Sequence, residues 1–580
     1  MFATTLALLL VSAWPFAGDI PSRYFALTRS LVEERTCAVD SFHTGFPDKA
    51  FRDGHYYLAA SPGPSFAAAP VYVPVYLCGG SPLIGLIAAT LWVGVLPGAL
   101  AFWGVWRLGE VLPRVPAPEP WRLAVVTAAA ATFVTPLCTV FYASALTVAC
   151  AVWALVHLTV YLRARRPIPE DAAVPDAERG LRRLVGAGAL LGALVCCEYS
   201  AAPLALLGTG VVAAESWRAR RPGELLAFLG GAAPLALVLG AYHWACFGAP
   251  WRTGYSFHAN PNFVELLATG YKGYCVPTGH SLYETLLGSA RGLLVYAPPV
   301  ALGIACARRG WAHEPECVAL GLGVGACYWL LNASRVLDWY AGYSWGPRYQ
   351  AFAAWFWLLP LFALRDPPRW AWRAWAVLVA AGAAVTALGL GTRWRSTLEA
   401  SLREAYSFGL QCKLTTLALT GDPAYYPPGL AERTGTTLVL GLLALAALLV
   451  AWGWIWGLGR RGWTRLGLAW LAAALLALVP WSVSSGRGSA LRRELQDREF
   501  LDFTRHFPSY ENDVRAAQAA LALQEDAQAV WFAERALAAR PGDELAELVR
   551  ALGAHDAQAL ERLAREASDP GIRGRATRGR

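Results

Sequence analysis

Apolar runs long enough to cross a hydrocarbon core recur along the chain and constrain its fold more than any other feature. A membrane span needs roughly 20 predominantly apolar residues. Stretches 83–106, 225–244, 374–390 and 437–456 meet that requirement, and 123–161 is long enough for two spans. A water-soluble core has no use for so many unbroken stretches. Only 16% of the 580 residues are charged, against about 25% in a soluble domain. The chain reads as an all-α polytopic integral membrane protein embedded in a lipid bilayer. Residues 2–16 lack the basic start of a secretory signal and read as a first span that stays attached.

The net charge of +9 does not point to nucleic acid, because the arginines fall in short clusters between apolar runs rather than on one basic face. Cytoplasmic loops collect Lys and Arg. Arginine-bearing loops at 107–114, 163–183, 218–221, 308–309, 365–373 and 460–465 therefore read as cytoplasmic. The longer connections then face outward: 19–65, 247–289, 334–347 and 392–434. This gives about thirteen transmembrane helices, with the N-terminus inside and the C-terminus outside. Residues 184–214 read as two short helices or a re-entrant hairpin, and 66–78, with Pro70 and Pro74, as an interfacial segment too broken to span.

A membrane domain thus covers 1–484, and residues 485–580 form an extracytoplasmic helical domain. Within it, 511–553 resembles one tetratricopeptide hairpin. Repeat arrays need about three units, so a small helical bundle is expected, suited to stabilisation or to docking a protein partner. Cys37, Cys275 and Cys412 lie in outward loops, and nothing in the sequence selects a disulfide pair among them.

The outward loops hold the candidate chemistry. The first carries Asp19, Arg23, Asp40, Asp48, His55, Tyr56 and Tyr57, with an amphipathic helix expected over 20–34. Its carboxylates are of the type that serves as a general base toward a hydroxyl or holds a divalent metal ion, and both roles stay open. The third loop ends in LDWYAGYSWGPRYQAF, where Trp339, Tyr343 and Trp345 surround Arg348. An arginine at a membrane interface suits a lipid phosphate, because its fork binds two oxygens. An aromatic belt with a snorkelling arginine is the structural alternative. Arg291, in GSARGLLVYAPPV, marks an outer helix start that favours an anion. Glu198 is a lone carboxylate among apolar residues at an outer turn.

Four segments in order carry a family resemblance: Gly54-His55-Tyr56-Tyr57 followed by LAASPG, then Phe247 to Tyr255, Arg291 to Pro298, and Gly342 to Tyr349. They resemble the GT-C glycosyltransferases, polyprenyl-phosphate-sugar-dependent membrane enzymes that include protein O-mannosyltransferases and aminoarabinose transferases acting on lipid A. The nearest likeness is to bacterial family-39-like members, over about residues 15–365. The resemblance implies a multi-pass enzyme of the bacterial inner membrane. It would transfer a sugar with inversion from a polyprenyl-phosphate donor to an extracytoplasmic lipid, glycan or protein. A first-loop aspartate (Asp19, Asp40 or Asp48, with Asp19 slightly favoured) would be the base. Arg348 and Arg291 would bind the leaving phosphate.

Three departures stand out. Ala59 and Ala60 occupy the aspartate and lysine positions of the family's SDKAPG, and Ser144 replaces a histidine. Lys49 or Lys272 would then have to supply the missing cation. The alanines keep a second reading alive, a catalytically inactive assembly or docking protein of the same fold. A transporter of a lipid-linked substrate is the third reading, although no paired broken helices favour it.

Overall fold

The computed structural model describes residues 2–15, 19–43, 46–165, 177–342, 344–392, 394, 397–402 and 510–579. They fall into two compact units. One holds the described residues through 402 except Asn260–Phe263, and the other contains residues 510–579.

The first unit is helical and built for a membrane. Among the described residues, six helices are long and apolar enough to span: α4 (Pro82–Val111), α6 (Ala143–Arg163), α7 (Ala177–Cys197, apolar from Gly180), α9 (Pro222–Phe247), α12 (Pro315–Ala333) and α13 (Arg369–Gly391). Their outward sides expose large apolar residues, such as Leu226, Leu237 and Val238 on α9, as a lipid-facing surface requires. The chain is thus a multi-pass membrane protein. The expected thirteen spans are not reached among the described residues, and the expected span 437–456 and outer loop 403–434 lie outside them.

Three differences in the first unit have local causes. Helix α1 (Phe2–Val11) has 10 residues, about 15 Å of helix, too short alone to span; it packs into the core through Leu9 and Leu10. Residues 66–78, expected to be broken, form the continuous helix α3 (Gly63–Leu77), which holds both Pro70 and Pro74. The run 123–161 yields one span instead of two. Helix α5 (Glu119–Ala130) stops, and 131–142 turns inside the protein. There Thr132, Thr135 and Thr139 hydroxyls donate to the carbonyls of Ala129, Ala130 and Pro136 at 2.7 Å each, replacing helical bonds where no water can. Gly94 makes room for this turn, since a Cβ there would lie 2.5 Å from the Val140 carbonyl.

Helix α2 (Asp19–Arg29) continues as a wider turn over Ser30–Glu34, matching the expected amphipathic helix, and ends where Arg35 turns left-handed at φ 55°. Strands β1 (Lys49–Arg52) and β2 (His55–Leu58) pair antiparallel, Arg52 opposite His55. Asp53 and Gly54, both at positive φ, form the two-residue turn that Asp-Gly favours. Residues 184–214 contain most of α7 and of α8 (Ala202–Arg218), joined by a short turn after Glu198.

The spanning helices separate two charged faces. At one, Arg122 pairs with Glu110 at 2.5 Å and Arg165 with Glu224. There too, Arg163 Nη2 donates to the Leu112 carbonyl at 2.7 Å and the Arg114 amide to Glu314 at 2.6 Å. All belong to, or border, the loops expected in the cytoplasm. The opposite helix ends carry the candidate site.

The second unit contains α14 (Tyr510–Ala522), α15 (Asp526–Ala539), α16 (Glu544–Gly553), α17 (Ala557–Glu566) and α18 (Pro570–Arg578). Ala-rich faces around Phe532 pack α14 on α15, and Asp513 pairs with Arg535 at 2.6 Å. Asp543 and Asp556 cap α16 and α17 by accepting from the amides three residues on.

Candidate functional site

Helix α2 meets the turn after α7, the segment following α9 and the run 335–349 at one end of the spanning helices. Asp19 opens α2, one turn before Arg23; its side chain lies outside the described ones, as does Tyr343 entirely. Arg23 is buried and pairs with Asp48, while its Nε–H finds no acceptor among the described residues. His258 Nε2 lies 3.0 Å from the other Asp48 oxygen. The Ala259 amide also donates to the Lys49 carbonyl at 2.8 Å. Asp48 therefore fastens the segment between α2 and α3 to the segment following α9.

Arg348 is half-buried at the start of a run of single helical turns. Its guanidinium lies 5.9 Å from the Tyr142 ring and 5.4 Å from the Tyr349 ring, at the reach of cation–π attraction. Among the described residues no carbonyl, hydroxyl or carboxylate accepts a hydrogen bond from it. Glu198 and Tyr24 are its electrostatic neighbours. Burial pushes the Tyr24 and Tyr255 hydroxyls above their ordinary values, and both interact with Arg23 and Glu198. Glu198 accepts from Ser200 Oγ at 3.1 Å.

Arg335 completes the cluster. It pairs with Asp338 at 2.6 Å and lies 4.1 Å over the Tyr349 ring, whose hydroxyl donates to the same Asp338 oxygen at 2.7 Å. Tyr349 is thus held between two guanidinium groups. Reading the sequence missed Arg335, Asp338, Tyr142, Tyr255, Tyr349, Tyr24 and His258 as site residues. Arg335 had one available signal: it stands apart from the arginine clusters, in a segment expected to face outward.

The remaining sequence candidates have other bonding partners, although Arg291 is an electrostatic neighbour of Arg348. Arg291 is fully engaged, donating to the carbonyls of Tyr340, Ala290 and Gly342 at 2.5, 2.7 and 2.8 Å. Lys49 is buried, its ammonium 3.1 Å from the His43 carbonyl and 5.1 Å from the Tyr56 ring centre. Lys272 is exposed in a tight turn at φ 52°. Asp40 accepts from the Tyr56 amide and lies against His55 Nδ1, both at 2.7 Å. Partial burial works to raise its carboxyl, but these partners outweigh it and hold it below the ordinary value. Tyr57 meets Phe247 edge-on at 5.8 Å. Trp339 packs against His280, and Trp345 is wholly buried against Tyr296.

Ala59 and Ala60 are buried, and a Cβ on Gly254 would come within 2.6 Å of Ala59 Cα. The backbone at Gly254 therefore packs closely on the backbone at Ala59. Ser144 is buried at the start of α6. Among the described residues no group of three His, Cys, Asp or Glu comes together to hold a metal ion.

An apolar cavity of about 390 Å³ opens between α7, α8 and α9, lined by Leu191, Val195, Phe228, Leu239, His243 and Trp251, among others. Arg348 is not in it. It approaches the site through Tyr199, whose hydroxyl lies 2.8 Å from His243 Nε2. His243 Nδ1 faces the Pro250 carbonyl at 3.0 Å; it must donate there, so in the neutral ring Nε2 accepts from Tyr199.

No family model matches the chain, and no curated protein matches it. In fold, the chain is similar to solved structures of an oligosaccharyltransferase from Archaeoglobus fulgidus. One, tethered to an acceptor peptide containing the NVT sequon, is 13% identical with a TM-score of 0.42, over 75% of this chain and 59% of that one. Another, archaeal oligosaccharyltransferase AglB in complex with an inhibitory peptide and a dolichol-phosphate, is 13% identical with a TM-score of 0.40, over 74% and 60%. The chain thus spans about three-fifths of the length of the solved proteins it resembles.

Proposed function

We propose that the chain is a membrane glycosyltransferase that moves a sugar, with inversion, from a polyprenyl-phosphate donor to an extracytoplasmic lipid, glycan or protein. Arg348 carries the reading. It is a half-buried guanidinium without a hydrogen-bond acceptor among the described residues, set where two outer loops, the start of α6 and the Glu198 turn converge. Such a fork binds two phosphate oxygens and offsets the charge that develops as the polyprenyl phosphate leaves. Arg23 offers a second donor through Nε–H. Tyr349, gripped by Asp338, fixes the wall between Arg348 and Arg335.

A carboxylate takes the acceptor hydroxyl proton while the hydroxyl oxygen attacks the anomeric carbon. The bond from that carbon to the phosphate oxygen breaks, and its electron pair leaves with the phosphate. One displacement gives inversion. We assign the base to Asp19, which opens α2 one turn before Arg23, because Asp48 is occupied by Arg23 and His258 and Asp40 is tied to the hairpin. The apolar cavity beside Tyr199 suits the isoprenoid tail.

The test measures transfer of labelled sugar from a panel of polyprenyl-phosphate sugars by membranes carrying the full chain. Arg348→Ala is expected to lower the rate about 10²–10³-fold, and Asp19→Asn to abolish it, with each protein folded and present. Equal transfer by Arg348→Ala and the unaltered chain would sink the assignment. Transfer by none, the unaltered chain included, would favour the non-catalytic docking reading.

A further inference from the structure

Two cysteines that the sequence did not pair meet at the edge of the site. Cys37 follows the left-handed stop at Arg35, in the loop between α2 and β1. Cys246 is the penultimate residue of α9. The two side chains are neighbours, Cys246 buried and Cys37 partly exposed, and both are free cysteines here.

The meeting is not a chance encounter of two swinging side chains, because backbone on both sides is pinned. The Thr36 amide donates to the Ser30 carbonyl at 3.1 Å and the Val39 amide to the Tyr56 carbonyl at 2.7 Å. Across the gap, Arg52 Nη1 donates to the Cys246 carbonyl at 3.3 Å, and Gly248, left-handed at φ 77°, ends α9. Tyr57 seats the hairpin on Phe247, the residue after Cys246.

We propose that Cys37 and Cys246 are joined by a disulfide in the mature protein, stapling the first outer loop to the outer end of α9. The inference rests on the outward placement of this face in the proposed function, since disulfides persist in oxidising compartments. The oxidant is a disulfide-bearing protein or small molecule. Cys37 thiolate attacks one sulfur of that disulfide and expels the first thiolate. Cys246 then attacks the Cys37 sulfur and expels the second. Two electrons pass to the oxidant, and the protons lost by the two cysteines end on the two leaving thiolates. The order fits the site. Cys37 is the accessible thiol, and Cys246 is buried behind it.

The test uses the full chain in its native membrane. Thiols are trapped with acid and then a maleimide, without reductant, and peptides are mapped by mass spectrometry. A linked Cys37–Cys246 peptide is expected, with both residues labelled only when reduction comes first. In Cys246→Ser, Cys37 should be labelled without reduction. Maleimide on both cysteines of the unreduced native chain, or Cys37 linked to a different cysteine, would overturn the staple. The result is independent of sugar transfer. A linked peptide without transfer counts against the transferase alone, and transfer with both thiols free counts against the disulfide alone.

Discussion

Asp48, a candidate base in the sequence, is engaged in the fold by two partners distant from it in the chain. Its acidic side chain stands in a long connection between helices, yet its partners are Arg23 and, 210 positions away, His258. Asp48→Asn keeps the shape and an acceptor for His258, but leaves the buried Arg23 charge without its counter-ion. Breaking a buried pair in this way costs about 3–5 kcal/mol. The variant is therefore expected to melt well below the parent in detergent. A variant that melts with the parent but transfers no sugar would return Asp48 to the base role. The same distance effect limited what the sequence showed of the site. Arg348 and Glu198 were legible because each is a charge at an apolar helix end. Tyr142 and Tyr255 were not, since they become neighbours of Arg348 and Glu198 only once helices far apart in the sequence have packed.

At the scale of elements, the β1–β2 hairpin is the clearest omission from the sequence reading. Its signal was present: Asp53-Gly54 is a two-residue turn between short runs that include Phe51, Tyr56 and Tyr57. The long apolar runs drew attention to helices, and helix α2 was indeed legible from the spacing of Tyr24, Leu27 and Leu31. The buried turn at 131–142 was not legible, because threonine–carbonyl bonding leaves no mark on hydropathy. The hairpin is tied down by Asp40, whose carboxylate receives the Tyr56 amide. Its carboxyl sits below the ordinary value in the folded protein. The contact therefore stabilises fully above the unfolded aspartate value of about 3.9 and weakens as pH falls through the lower folded value. Amide exchange at Tyr56, corrected for its intrinsic pH dependence, should be slow at neutral pH and accelerate toward about pH 3. In Asp40→Ala it should be fast throughout. Equal protection of the unaltered chain at both ends of that range would show that the carboxylate does not hold the strand.

The whole membrane unit is organised by charge separation along its spans. Helices α4, α6, α7, α9 and α12 each carry one end to the cluster of Glu110, Arg122, Arg163, Arg165, Glu224 and Glu314, or near it, while the other ends of α6, α7 and α12 carry Tyr142, Glu198 and Arg335. The arginine asymmetry of the sequence anticipated this division because burying a charge at membrane depth costs several kcal/mol, which drives loops of like content to the same face. It could not give the span count, since helices interrupted inside the protein look apolar throughout. The division predicts a labelling pattern. Val276 is 85% exposed in the segment between α9 and α12, and Arg220 is exposed in the turn between α8 and α9. A membrane-impermeant maleimide applied to intact cells should modify Val276→Cys and spare Arg220→Cys, with sites identified by peptide mapping so that native cysteines do not confuse the readout. Permeabilised cells should show both. Labelling of Arg220→Cys alone in intact cells would invert the orientation. It would place the Arg348 face in the cytoplasm and remove the oxidising compartment on which the Cys37–Cys246 staple depends. Labelling of both in intact cells would mean that the charged ends do not lie on opposite sides, and the two-faced arrangement itself would fail.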